Sequence, residues 1–128
     1  MKKTAVSTDR GPKAIGPYSQ AIKVPGLMFI SGQTPLDPKT GDMVGTEVVT
    51  QTERVLDNIE GILESQGLSM ANVVKTTVFL KDMNDFAAMN KVYASRFPEP
   101  APARSTIQVA KLPKDALVEI ETEKQADE

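Results

Sequence analysis

The chain predicts an α+β fold: one β-sheet with both of its helices on the same face. Three observations carry this expectation. Runs with a period of two occur near both ends and in the middle of the chain, two stretches between them repeat at helical spacing, and 128 residues at 40% hydrophobic suit one core rather than two. We therefore read residues 1–128 as one domain, without repeats or low-complexity segments.

A polar arm opens the chain, and Gly16 and Pro17 bend it ahead of a strand over residues 18–24. Pro25 and Gly26 form a turn into a second strand over residues 27–31, which runs into Gly32. These two strands are expected to pair antiparallel, and residues 37–42 read as a surface turn. Val55, Leu56, Ile59, Ile62 and Leu63 then mark a helix over residues 46–66, with Thr50 and Glu53 as a capping box and Gly67 as its stop. The β-branched run at residues 73–80 is a strand. Asn84 or Asp85 is placed to cap a second helix with Phe86, Met89, Tyr93 and Phe97 on its inner face, Asn90 on that same face, and Pro98 as its end.

The stretch at residues 102–121, PARSTIQVAKLPKDALVEIE, holds the last two strands. Arg104, Thr106 and Gln108 alternate with Ser105, Ile107 and Val109, and Leu117, Glu119 and Glu121 alternate with Ala116, Val118 and Ile120. A simple hairpin pairing Val109 with Ala116 would set Thr106 opposite Glu119 and bring Arg104 onto the diagonal, on one polar face. Residues 122–128 are polar and are expected to fray. With two helices on one face, the other needs a cover; Val74, Val78 and Ile107 are its apolar candidates, and self-association is the expected answer.

The inventory excludes several chemistries. Without cysteine or histidine there is no thiol nucleophile, no histidine-based triad and no Cys/His zinc site, so acid–base work falls to Glu, Asp, Lys or Tyr. A net charge of −2 gives no basic excess for nucleic acid. Two lysines open the chain without an apolar run behind them, and no stretch is long and apolar enough to span a bilayer, so no membrane partner and a cytoplasmic location are expected.

Each candidate side chain has a plain alternative. Arg104 can hold a carboxylate through two parallel bonds, or serve as a rim ion pair. Glu119 is a mid-strand carboxylate that is either used or merely solvated. Gly32 admits a ligand close to the backbone, or is an ordinary turn glycine. Tyr18 offers a hydroxyl over a pocket, or packs in the core with a wet tip. Asn90 needs partners, from a ligand or from the backbone.

Together, IGPYSQA at residues 15–21, SGQTPLDPKTG at residues 31–41 and the PARS…LP…VEIE stretch resemble the RidA family, formerly called YjgF, of enamine/imine deaminases. The resemblance runs from about residue 4 to residue 121. It implies a chorismate mutase-like fold with a mixed sheet, a homotrimer with clefts between subunits, and hydrolysis of 2-aminoacrylate and other 2-imino acids to 2-keto acids without metal or cofactor. It further implies that Arg104 grips the substrate carboxylate and Glu119 positions the attacking water. Backbone NH groups at Gly32 and Thr106 would contact the ligand, with Tyr18, Ser31 and Asn90 as further cleft residues and Phe86 as an apolar wall. The family fold also places the last strand inside the sheet, in conflict with the simple hairpin. Two departures stand out: Thr106 where many relatives have cysteine, and the polar ending TEKQADE where relatives are usually apolar. The rival functions are a non-catalytic carboxylate-binding regulator or chaperone, and a ribonuclease or translation inhibitor, which the charge balance does not favour.

Overall fold

The computed structural model describes residues 2–126. Its strands are β1 (Thr4–Val6), β2 (Ala21–Val24), β3 (Leu27–Gln33), β4 (Val73–Leu80), β5 (Ala103–Gln108) and β6 (Val118–Gln125), and its helices are α1 (Val48–Ser65) and α2 (Phe86–Arg96). They make one mixed sheet in the order β1-β2-β3-β6-β4-β5, with β5 parallel to β4 and every other pair antiparallel. Both helices lie on one face, α1 across β6 and β3 and α2 against α1.

Local sequence accounts for most of the joints. Val24 pairs with Leu27, which leaves Pro25 and Gly26 as a two-residue turn, with Gly26 at φ +84° as a type II turn requires. The N-terminal arm is a strand rather than a free tail, and the buried Gln20 ties down the segment behind it. Its Oε1 accepts from Thr8 NH at 2.7 Å, while its Nε2 donates to the carbonyls of Thr8, Gly11 and Pro12. The strand predicted from residue 18 accordingly begins only at Ala21.

Helix α1 buries the five apolar residues that predicted it, but it starts after Glu47, whose side chain makes no cap bond. Thr50 lies inside the helix, so the box with Glu53 does not form; its hydroxyl donates to Glu47 Oε1 at 3.3 Å instead. At the other end Gly67 adopts φ +73°, and the NH groups of Gly67 and Leu68 close on the carbonyls of Glu64 and Leu63, a Schellman stop. In α2, Asp85 holds the N-cap position without a side-chain bond, and Asn84 is not a cap. Asp82 does that work one turn earlier, accepting from Asn84 NH at 2.8 Å at the head of a short 3-10 turn. Arg96 then joins the two helices, donating to Glu53 and Asp57 at 3.1 and 2.9 Å.

The last two strands do not form the expected hairpin. Strand β4 lies between β5 and β6, and the connection passes over its end, where Val109 NH donates to Leu80 O and Lys81 NH to Leu117 O. Lys114 and Asp115, both at positive φ, make the reversal in that link. The ending does not fray up to Gln125 either: the period of two continues, with Thr122 and Lys124 buried among the helix-side residues while Glu121 and Gln125 are exposed. Asp127 and Glu128 lie outside the described residues.

The core fills the space between sheet and helices, with Met28, Ile30, Val78, Val118 and Ile120 from the strands and Val55, Leu56, Ile59, Ile62 and Leu63 from α1. Val78, expected on the uncovered face, belongs to this core. The uncovered face instead carries Phe29, Phe79 and Ile107 beside Glu119, Glu121 and Glu123; Phe29 and Ile107 are 41% and 45% exposed.

Candidate active site

The predicted site residues fall into two groups on opposite faces of the sheet. Register places Arg104 beside Thr76 and Thr106 beside Val78, so both side chains share the helix side. Glu119 pairs with Phe79 and points to the uncovered side. One polar face carrying both Arg104 and the carboxylates, as a hairpin would have made, does not exist within the chain.

The first group is built by β5 and α2. Arg104 is half-buried, and its Nη1 donates to Asn90 Oδ1 at 2.6 Å. Its guanidinium carbon lies 4.7 Å from the Tyr93 ring centre and 5.4 Å from that of Phe86. Phe86, Asn90 and Tyr93 are spaced four and three residues apart, which makes one stripe of the helix. A cavity of about 390 Å³ opens beside them, with Arg104, Asn90, Tyr93, Phe97 and Pro102 in its wall. Because β5 is the edge strand, one row of its backbone donors is left unpaired by the sheet, on the element that carries Thr106.

The second group is built by β3 and β6. The Glu119 carboxyl lies directly over Gly32, where an added Cβ would overlap its oxygen. Gly32 also sits where the β3–β6 register shifts, between Ile30 and Gln33. The close approach that a glycine allows is therefore made by the chain's own glutamate. Burial pushes the Glu119 carboxyl above the usual carboxylate range, and the neighbouring Glu121 adds to this. Ser31 Oγ donates to Ser19 O at 2.6 Å, and Ser31 NH to Gln20 O at 2.9 Å, joining β3 to the segment that carries Tyr18. Tyr18 is 54% exposed and accepts from Ile15 NH at 3.3 Å, so it is no core tyrosine.

The cavity beside Arg104 is lined by none of Tyr18, Ser31, Gly32 or Glu119. A separate cavity of about 880 Å³ lies on the outer side of α1 among Arg10, Lys13, Arg54 and Asp57, away from every candidate. Among the described residues, no group of three or more acidic, histidine or cysteine side chains is arranged to hold a metal ion, and no helix is long and apolar enough to cross a membrane. Sequence reasoning placed Tyr93 in the core only. Its helical spacing from Phe86 and Asn90 was visible, but its arginine partner comes from a strand whose register no local pattern reveals.

A mixed sheet backed by two helices, with a stacked arginine on one face and a carboxyl seated on glycine on the other, defines a small α+β protein with two separate polar groups. The chain belongs to the RidA/YjgF family, whose description Endoribonuclease L-PSP matches residues 8–123. It is 56% identical over 119 residues to a RutC family protein of Pyrococcus horikoshii, covering 93% of this chain and 94% of that one. It is 52% identical over 121 residues to the chloroplastic Reactive Intermediate Deaminase A of Arabidopsis thaliana, covering 94% of this chain and 65% of the relative. Its structure is similar to that of E. coli TdcF with bound serine, at a TM-score of 0.91 and 41% identity over 97% of this chain and 99% of that one.

Proposed function

We propose that the chain is a hydrolytic deaminase of 2-aminoacrylate and related 2-imino acids, working in the cytoplasm as a homotrimer whose clefts lie between subunits. The observation that carries this reading is the placement of Arg104 and Glu119 on opposite faces of one sheet. A site that uses both is then completed by a second copy, and the exposed Phe29 and Ile107 supply an apolar surface for it. The Arabidopsis relative is named for reactive-intermediate deamination, and the bound serine of TdcF is a small amino acid of the size and charge this reading requires.

In this reading Arg104 anchors the substrate carboxylate and aligns the C=N carbon. Glu119, as carboxylate, takes a proton from water as the oxygen bonds to that carbon and hands it to the imine nitrogen, giving a carbinolamine. Glu119 then takes the hydroxyl proton and passes it to the amine nitrogen as the C–N bond breaks, so that ammonia leaves, the C=O of the keto acid forms and Glu119 is again a carboxylate. The backbone NH groups of Gly32 and Thr106 hold the ligand, Asn90 steadies the arginine, and Tyr18, Ser31 and Phe86 wall the cleft. No metal or cofactor takes part in this scheme.

The test is keto-acid appearance in a dehydratase-coupled assay. Arg104→Ala and Glu119→Gln should each lower kcat/KM by about a hundredfold or more, the usual size of a lost charge-assisted anchor or general base. Retained acceleration in either variant refutes the assignment. The serine bound to TdcF also suits a sensor of small carboxylates; that reading predicts binding of 2-keto acids that survives Glu119→Gln, with no turnover in the wild type.

A further inference from the structure

We propose that Tyr93 and Thr76 are positioning residues that set the plane of the Arg104 guanidinium, an inference resting on the carboxylate-anchor role given to Arg104 above. The single hydrogen bond from Nη1 to Asn90 fixes one point of a planar group and leaves the plane free to turn about that bond. The faces of Tyr93 and Phe86, 4.7 and 5.4 Å from the guanidinium carbon, supply the missing restraint. Tyr93 is itself held at two points. Its ring packs on Phe97 with centres 4.5 Å apart, and its hydroxyl is 2.7 Å from the Oγ1 of the fully buried Thr76.

Thr76 is also the register partner of Arg104 on the adjoining strand. Threonine, tyrosine and arginine therefore close a triangle: strand to strand by register, strand to helix by the hydroxyl pair, and helix back to strand by the stacked ring. Arg104 makes no ion pair among the described residues, so its remaining donors are not taken up by a carboxylate of the chain. Glu99, the acid in the wall of the same cavity, accepts instead from Ala101 NH at 3.3 Å. An aromatic clamp orients the cation without neutralising it, as a carboxylate anchor needs.

Positioning is separable from packing. Replacing both members of a buried hydroxyl pair by apolar groups of the same shape is close to neutral for stability. The core therefore does not require the Thr76–Tyr93 bond, whereas an aligned Arg104 does. In the Thr76→Val/Tyr93→Phe double variant the thermal midpoint should stay near the wild-type value. KM for 2-iminobutanoate should rise about threefold, and kcat should hold, as expected when binding common to ground and transition states is lost.

Tyr93→Leu, which removes the ring, should raise KM about tenfold. In an Arg104→Lys background, whose point charge has no plane to align, the same substitution should cost at most about twofold. An unchanged KM in both Tyr93 variants overturns the proposal, as does an equal cost of Tyr93→Leu in the arginine and lysine backgrounds. If the wild type shows no turnover, the deaminase reading fails, and the same fold-changes are expected in the Kd of 2-oxobutanoate measured by calorimetry. Absence of both turnover and 2-oxobutanoate binding in the wild type overturns both.

Discussion

Glu119 shows how one side chain's surroundings turn a mid-strand acid into a candidate base. Burial raises its pKa first and Glu121 second, so the carboxylate form is lost at a higher pH than for a free glutamate. As pH falls through this raised pKa the base is protonated, and the acid limb of the kcat/KM profile should lie above the ordinary 4.5. Glu121→Gln should move that limb to lower pH while leaving the plateau at neutral pH unchanged. A limb that stays in place means that Glu119 does not govern it. The residue types of the two groups were legible in the sequence: an arginine for one, a mid-strand glutamate and a glycine after an apolar strand for the other. That Gly32 accommodates Glu119 was not, because two strands had to be brought side by side before the overlap existed.

Among the elements, β6 departs furthest from expectation. Its polar ending looked like a fraying tail, yet the alternation of Thr122, Glu123, Lys124 and Gln125 was already a strand pattern that lacked apolar residues on its inner row. Lys124 fills that row with its hydrocarbon stem and is fully buried, its Nζ donating to Thr122 Oγ1 at 2.8 Å and Thr122 O at 3.2 Å. Burial lowers its pKa from 10.5 to about 7, against the opposing pull of Glu123. Between these values the unfolded chain holds a proton that the folded chain has released. Stability should therefore rise as pH goes from about 7 to about 10.5, by a few kcal/mol for a shift of this size, and gain nothing further above. Denaturant titrations at pH 7 and pH 10 should show the rise in the wild type and lose it in Lys124→Met, which should be the more stable protein at pH 7. The helices were read better because periodicity marks their buried faces directly. The order of β4, β5 and β6 stayed hidden because local alternation shows which residues share a face, not which strand lies alongside.

At the scale of the whole molecule, the sheet keeps the two polar groups apart. Arg104 lies on the helix side of an edge strand and Glu119 on the uncovered side of an interior one, so the chain alone does not bring them together. That both helices share one face and leave the other open was legible from counting helices. The placement of Arg104 and Glu119 on opposite faces was not, since the same alternation had placed both residues on one polar face. Subunit complementation tests the divided site most directly. Arg104→Ala and Glu119→Gln homo-oligomers, each inactive alone, are mixed under conditions of subunit exchange verified by native mass spectrometry, and keto-acid release is measured. If each cleft draws Arg104 from one subunit and Glu119 from its neighbour, random mixing at equal amounts should restore about a quarter of the wild-type activity. Verified exchange with no recovered activity would contradict a site shared between subunits.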